Sequence, residues 1–454
     1  MRTDSRRRFL KRSGALGVAG IAGLAGCTTE QTGDGGDGGD GTDTDGDDET
    51  TGTATDGGGS TPDVMVVVGY PQSGIQLFSD YYSDYGDDDA EILVTDGLQD
   101  GELPQDVGND MSNVRGTAPS ASGPGADAFT EMFTSEFDYD EPGVFTAQAY
   151  DATAVQILAN AMAGENDGQA VRDNMRVVAN PGGETFGPSE LPAAVEAAAA
   201  GENVEYQGAS SNVVFDENGD IGAVSYEVFG FDEDGYETTD TVDFGGGEDV
   251  PQPEPQGDGS ESGRTIRFGV LQPESGDLGN LGVPIADAAT LPALQLEGEV
   301  DFEFDYQRAD TQSQAQPAID AANSLVSDGY PSITGAASSE STIQVAQNVF
   351  VPNGVVGVSP ASTSPAITNL EDDDYVFRTP PSDALQGRVL AQLANEDIGA
   401  STASTLYLNN SYGQALQQAF VDAFEEAGGE VVAQVAFESQ QSSYTSEINQ
   451  AMSR

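Results

Sequence analysis

Residues 266–282 read IRFGVLQPESGDLGNLG, and the fold turns on this stretch. The apolar run over 265–271 reads as a buried strand. Gly276, Gly279 and Gly282 then break the chain into a loop. A helix is expected to begin near Pro284, because proline is tolerated in the first turn of a helix and not in its interior. A strand that runs through a glycine loop into a helix opens an α/β unit with a parallel sheet.

The same alternation continues downstream. Strands are expected at 301–306, 331–335, 354–358, 404–408 and 430–437, and helices at 313–327, 384–394, 414–427 and 444–452. The strand at 331–335 enters a Ser-rich turn, with Ser338 and Ser339 just ahead of a helix over 341–350. Upstream, residues 63–244 alternate in the same way. The spacer 245–263, GGGEDVPQPEPQGDGSESG, separates the two halves. A second spacer over 27–62 has Ala54 as its one apolar residue after Cys27. Neither can build a core. The acidic runs 43–47 and 216–220 lack the glycine position of a calcium loop; the second reads as a hairpin turn.

Composition excludes whole classes of chemistry. The chain has 454 residues, with 78 Asp and Glu against 15 Lys and Arg, a net charge of -63. Lys11 is its one lysine, Cys27 its one cysteine, and it has no histidine. Nucleic-acid binding needs clustered cations, and a phosphate-binding loop needs lysine. Ser-His-Asp and Cys-His catalysis, His-ligated metals and internal disulfides are excluded by residue type alone. Such a charge is tolerable where molar salt shortens the Debye length to about 3 Å. The composition therefore reads as that of an extreme halophile, an archaeon.

The amino terminus carries an address. Residues 5–11, SRRRFLK, resemble the twin-arginine export signal, and the apolar stretch 15–25 that follows is too short to span a bilayer. It ends in Leu24-Ala25-Gly26-Cys27, similar to a lipobox in which Cys27 is lipidated and becomes the first residue. Removal of residues 1–26 takes six basic residues and one acid with it and leaves a net charge of -68.

The motifs of the second half resemble the leucine/isoleucine/valine-binding protein family, the type I periplasmic-binding receptors of branched-chain amino-acid ABC transporters. They are the opening stretch, LVSDGYPSITGAASSESTIQVAQ (325–347), GVSPASTSPAIT (357–368), YVFRTPPSDALQG (375–387) and LYLNNSYGQALQQAF (406–420). The first half resembles the rest of the same family through VMVVVGYPQSGIQLF (64–78), ILVTDGL (92–98), FTAQAYDATAVQILANAM (145–162) and SNVVFDENGDIGAVSYEVFGF (211–231). The family has these halves in the opposite order. The resemblance thus implies an α/β fold of two doubly wound parallel-sheet lobes joined by a hinge, circularly permuted. The helix ending at 454 should lead into the strand near Val64, placing that strand beside 404–408 or 430–437. The spacer 245–263 would join the family's natural ends; its nineteen residues span roughly 25 Å, ample for ends close together on one lobe. A fusion that needs a neighbouring copy to complete each lobe is the alternative.

Open α/β sheets bind ligands at the carboxyl ends of their strands. With so little arginine, an amino acid's carboxylate needs neutral donors, which helix N-termini and Ser or Thr hydroxyls supply. Carried over residue by residue, the resemblance implies that Ser339, Ala361 and Thr363 hold the ligand's carboxylate and amine. Asp96 would pair with its ammonium group, and Tyr412 and Tyr70 would close over it. Leu281 stands where the family often has an aromatic, and Tyr150 is a further candidate. The function expected is that of a lipid-anchored, extracytoplasmic substrate-binding protein without enzymatic activity, cofactor or metal. As a monomer it would capture a branched-chain or related amino acid, or an amide, for ABC permease subunits. A ligand-sensing ectodomain of the same fold and an acidic cell-surface protein are the other classes.

Overall fold

Five consecutive side chains, Val64–Val68, are all buried, which a strand permits only when both faces of its sheet are covered. A computed structural model describes residues 61–245, 250–251, 254–255 and 263–453. The export signal, Cys27, the acidic run 43–47, most of both spacers and Arg454 lie outside the described residues.

In chain order the strands are β1 (Val64–Val68), β2 (Glu91–Val94), β3 (Val114–Pro119), β4 (Glu184–Phe186), β5 (Val204–Tyr206), β6 (Val224–Asp232), β7 (Gly235–Phe244), β8 (Thr265–Gln272), β9 (Glu303–Asp310), β10 (Ser332–Gly335), β11 (Val356–Ser359), β12 (Val376–Arg378), β13 (Thr402–Leu408) and β14 (Glu430–Phe437). Helices fill the intervals, giving the α/β architecture expected. The first lobe is built on a five-stranded sheet of order β12-β11-β10-β8-β9, parallel throughout. The second lobe has seven strands, β14-β13-β1-β2-β3-β6-β7, parallel up to β3 and closed by the antiparallel β6–β7 hairpin.

The position of β1 is the informative one. It lies between β13 and β2, with Val64 opposite Ala403 and Val68 opposite Tyr407. The helix Thr445–Ala451 packs on the helix Pro71–Asp84 of the same lobe. Tyr444 N donates to Asp80 Oδ2 at 2.6 Å, and Tyr85 OH to Asn449 Oδ1 at 2.7 Å. The strand near Val64 therefore stands where the sequence places it, although more than 300 residues separate it from β13.

The helix Thr146–Ala163 is buried on every side along 146–162 because it is wedged between the helix Gly279–Leu296 and the strands β8, β10 and β11 of the first lobe. The chain passes between lobes over 119–126, 206–224 and 378–383.

Two expectations are corrected. The ends joined by residues 245–263 do not share a lobe: Phe244 ends the outermost strand of the second lobe, whereas Thr265 begins a strand of the first. The helix expected near Pro284 begins at Gly279. Its first turn is pressed so close to the preceding loop that a Cβ on Gly282 would sit 1.9 Å from the Pro273 carbonyl oxygen. Packing of that turn outweighs the one hydrogen bond that Pro284 forfeits.

Candidate functional site

Parallel strands leave their carboxyl ends, and the helix N-termini that follow, on one edge of the sheet. In the second lobe this edge carries Tyr70 after β1, Asp96 after β2 and Tyr412 after β13. In the first it carries the loop 273–282 after β8, Ala337–Ser339 after β10 and Ala361–Thr363 after β11. The two edges face each other across a cleft with about 360 Å³ of empty space, part of it open to solvent. Its walls include Tyr70, Asp96, Ser339, Ala361 and Tyr412, so five of the six residues singled out in the sequence meet there.

The sixth, Thr363, stands just behind the wall. Its side chain is buried and its hydroxyl has no hydrogen-bond partner. Ser338 caps the helix Ser339–Val345 by accepting from Ser341 N at 3.2 Å, which leaves Ser339 in the first turn. Ser339 Oγ accepts from Ser364 N at 3.2 Å and so ties the two first-lobe loops together.

On the facing wall the rings of Tyr70 and Tyr412 stack, with centroids 5.6 Å apart and an interplanar angle of 12°. Tyr412 OH lies 2.7 Å from Thr95 Oγ1, accepts from Gly97 N at 3.3 Å and donates to Asp96 Oδ1 at 3.3 Å. Gly97 is required here: a Cβ would lie 2.4 Å from the Gly69 carbonyl oxygen. Tyr150, by contrast, is not among the residues that line the cleft. Its hydroxyl donates to Gln295 Oε1 at 2.6 Å inside the first lobe, because the helix that carries it is sheathed by other elements.

The structure adds a second acid that the sequence concealed. Asp383, in the first turn of the helix Asp383–Gln392, is fully buried, and neither of its carboxylate oxygens has a hydrogen-bond partner. Ser382-Asp383 ahead of an amphipathic stretch reads as an ordinary cap, yet the Ser382 side chain makes no capping bond. Asp383 neighbours Asp96 and Thr363. Burial pushes the Asp96 carboxyl up to about 6. Burial, and then the charge of Asp96, drives Asp383 well above the usual carboxylate range. The Thr363 hydroxyl and the Arg378 guanidinium favour the ionised form of Asp383, but burial and the neighbouring Asp96 outweigh them, so two acids share a largely dry corner.

Much of the rest of the cleft lining is apolar. Leu278, Leu281, Ile285, Pro273 and Phe145 contribute to it. Leu281 is thus a wall residue despite its departure from the family's aromatic. Phe145 holds its ring there from a left-handed backbone, φ 65°, a conformation rare for an aromatic residue. No sequence signal marks that turn. Among the described residues no cluster of His, Cys, Asp and Glu is arranged to hold a metal, and no helix is long and apolar enough to cross a membrane.

The lobes also touch directly. Ser73 Oγ donates to the Asp277 carboxylate at 2.8 and 2.9 Å, and Ser364 Oγ donates to the Ser411 carbonyl at 3.2 Å.

Asp96 and Asp383 both hold their protons more tightly in the folded chain than in the unfolded one. The stability they contribute is present below the ordinary carboxylate range, near 3.8, and is lost as pH rises through their folded values. Ligand-free protein in molar KCl should therefore melt higher at pH 5 than at pH 8, and Asp383→Asn should flatten that slope. Melting curves of parent and variant across this range test it; an equal slope in the variant would acquit the pair.

The family model described as periplasmic binding protein matches residues 265–454 of the chain. Two curated relatives are the chemotactic signal transduction system substrate-binding protein BasB of Halobacterium salinarum and the Leu/Ile/Val-binding protein homolog 3 of Brucella melitensis. The first is 29% identical over 189 residues, 39% of this chain and 45% of the relative. The second is 28% identical over 172 residues, 36% and 45%. The chain thus spans just under half the length of each. A solved structure, the leucine-binding protein LivK of Thermotoga maritima, aligns at 24% identity and a TM-score of 0.37, over 41% of this chain and 53% of that one.

Proposed function

We propose that this protein captures a branched-chain or related amino acid between its lobes and hands it to an ABC permease. The observation that carries this reading is the buried pair of acids Asp96 and Asp383 beside Thr363, at a cleft whose walls include Asp96, Ser339, Ala361 and several apolar side chains. An ammonium group in the cleft would pair with Asp96, which lines it, and would favour the ionised form of the two neighbouring acids. Backbone N–H groups and hydroxyls of the two first-lobe loops receive the ligand carboxylate. Leu278, Leu281, Ile285 and Phe145 suit an aliphatic side chain better than the amide alternative. Lobe closure about the crossing segments is the working motion.

The permuted order belongs to the same proposal, supported by the seating of β1 between β13 and β2. So do the twin-arginine route and the lipid on Cys27, which rest on the sequence motifs alone. The chemotactic relative from Halobacterium salinarum favours a second reading, in which the loaded protein is presented to a signal transducer. Loss of attraction to leucine with uptake intact, on deleting the gene, would favour that reading.

Melting curves in molar KCl test the binding. Leucine at about 100 times its dissociation constant adds about 2.7 kcal/mol and should raise the midpoint by several degrees. Leucinamide lacks the carboxylate and 4-methylpentanoate lacks the amine, and both should do far less. A midpoint unmoved by every amino acid, or moved equally by 4-methylpentanoate, overturns the reading.

A further inference from the structure

The most enclosed cation of the first lobe lies behind the ligand loop and not in the cleft. Arg378, the last residue of β12, is fully buried. Its guanidinium makes a fork-to-fork pair with Asp220, Nε to Oδ1 at 2.6 Å and Nη2 to Oδ2 at 2.8 Å. Nη2 also reaches Thr368 Oγ1 at 2.7 Å, and Thr368 donates in turn to Asp220 Oδ2 at 2.6 Å. What remains of the fork is spent on backbone: Nη1 donates to the carbonyls of Ser364 at 3.0 Å and Ser362 at 3.3 Å. These two carbonyls flank Thr363.

Asp220 reaches Arg378 from an unexpected direction. It ends the turn 216–220, which lies in one of the segments crossing between the lobes. Asp216 Oδ1 accepts from the N–H groups of Asn218 and Asp220 and shapes this turn. Gly219 takes φ 77° and lies so close to β12 that a Cβ would fall 2.5 Å from the Val376 carbonyl oxygen; Arg378 N donates to the Gly219 carbonyl. Arg378 itself opens the crossing at 378–383, which leads to Asp383.

We propose that Arg378, held by Asp220, is a positioning residue for the ligand loop. By holding the Ser362 and Ser364 carbonyls it fixes the backbone on both sides of Thr363, next to the wall residue Ala361, and it ties that backbone to two of the segments along which the lobes hinge. The intervening carbonyl, that of Thr363, accepts instead from Asp383 N at 2.9 Å, so the same stretch of loop is held from both sides. Arginine is required because a planar fork can hold a carboxylate and two carbonyls at once, whereas a lysine ammonium is a point donor.

The effect on affinity rests on the ligand reading above; the effect on loop order does not. Two variants are needed, because Asp220→Asn strands a buried cation and risks the fold. Arg378→Lys keeps the charge beside Asp220 and surrenders the fork. Amide hydrogen exchange, read by mass spectrometry in molar KCl, is expected to rise about tenfold over 359–368 in Arg378→Lys, with β8 and β10 unchanged. Leucine, isoleucine and valine should each lose affinity by a similar factor, about tenfold, since the loop meets only the part they share. Asp220→Asn should act in the same direction. Unchanged exchange over 359–368, or exchange raised throughout the first lobe, overturns the proposal. A parent protein that binds none of the three amino acids would refute the ligand reading, and the exchange comparison would still decide this one.

Discussion

Asp96→Asn should weaken leucine binding by roughly 30- to several-thousand-fold, the equivalent of about 2–5 kcal/mol for losing one partner of a buried, hydrogen-bonded charge pair. The substitution keeps the shape of the side chain and its contact with Tyr412 OH, so the loss reports the charge. An exposed acid in the same position would be worth about 0–1 kcal/mol, and molar salt would shrink even that. Burial distinguishes the two cases, since Asp96 is 2% exposed and Asp383 is fully enclosed. Because the pair resists ionisation when the cleft is empty, binding a cationic head releases a proton, and affinity should decline as pH falls below about 6. Calorimetry at high salt in two buffers of different ionisation enthalpy measures both effects. Parental affinity in Asp96→Asn would move the ammonium site elsewhere and leave the fold standing.

Dilution from molar KCl to roughly 0.1 M should unfold the protein, because the Debye length grows from about 3 to about 10 Å and repulsion among surface carboxylates returns. The arginines cannot offset this. Several are already committed to local partners, such as Arg176 with Asp374, Arg267 with Asp305 and Arg308 with Glu274 and Asp287. Arg378 is spent inside the first lobe. Circular dichroism and the melting midpoint followed through the dilution decide the matter; constancy of both would remove the halophile reading.

Central strands such as Val64–Val68, covered on both faces, were legible as uninterrupted apolar runs, and the half-exposed edge strand β14 was legible from its apolar residues as well. β14 begins and ends where the apolar run 430–437 does, and β13 extends its expectation by only two residues. β9 is displaced, at 303–310 against an expected 301–306, because as an edge strand it takes its register from β8, residue for residue from Thr265 to Gln272. The site was legible where a residue closely follows an apolar strand, as Asp96 does, and where the family resemblance supplied it, as for Tyr412. Asp383 was hidden because an acid at a helix start has an ordinary explanation in capping, and only its burial without a partner removes that explanation. Phe145 and the Ser73–Asp277 contact depend on backbone conformation and on contacts more than 100 residues apart, which no local pattern encodes. The spacer 245–263 was read as joining neighbours on one lobe; chain length bounds a distance and carries no information about which lobe lies at its far end.

The bonds from Ser73 to Asp277 and from Ser364 to Ser411 exist only while the two lobes are together. A ligand arriving at parted lobes meets none of them, so they do not slow its capture. A ligand leaving must wait until they break. They consequently belong to the barrier for escape and not to the barrier for arrival, and they lengthen the residence time of whatever the cleft holds without altering a single contact to it. Retention of this kind is written into the walls of the cleft, and any ligand it accepts receives it equally.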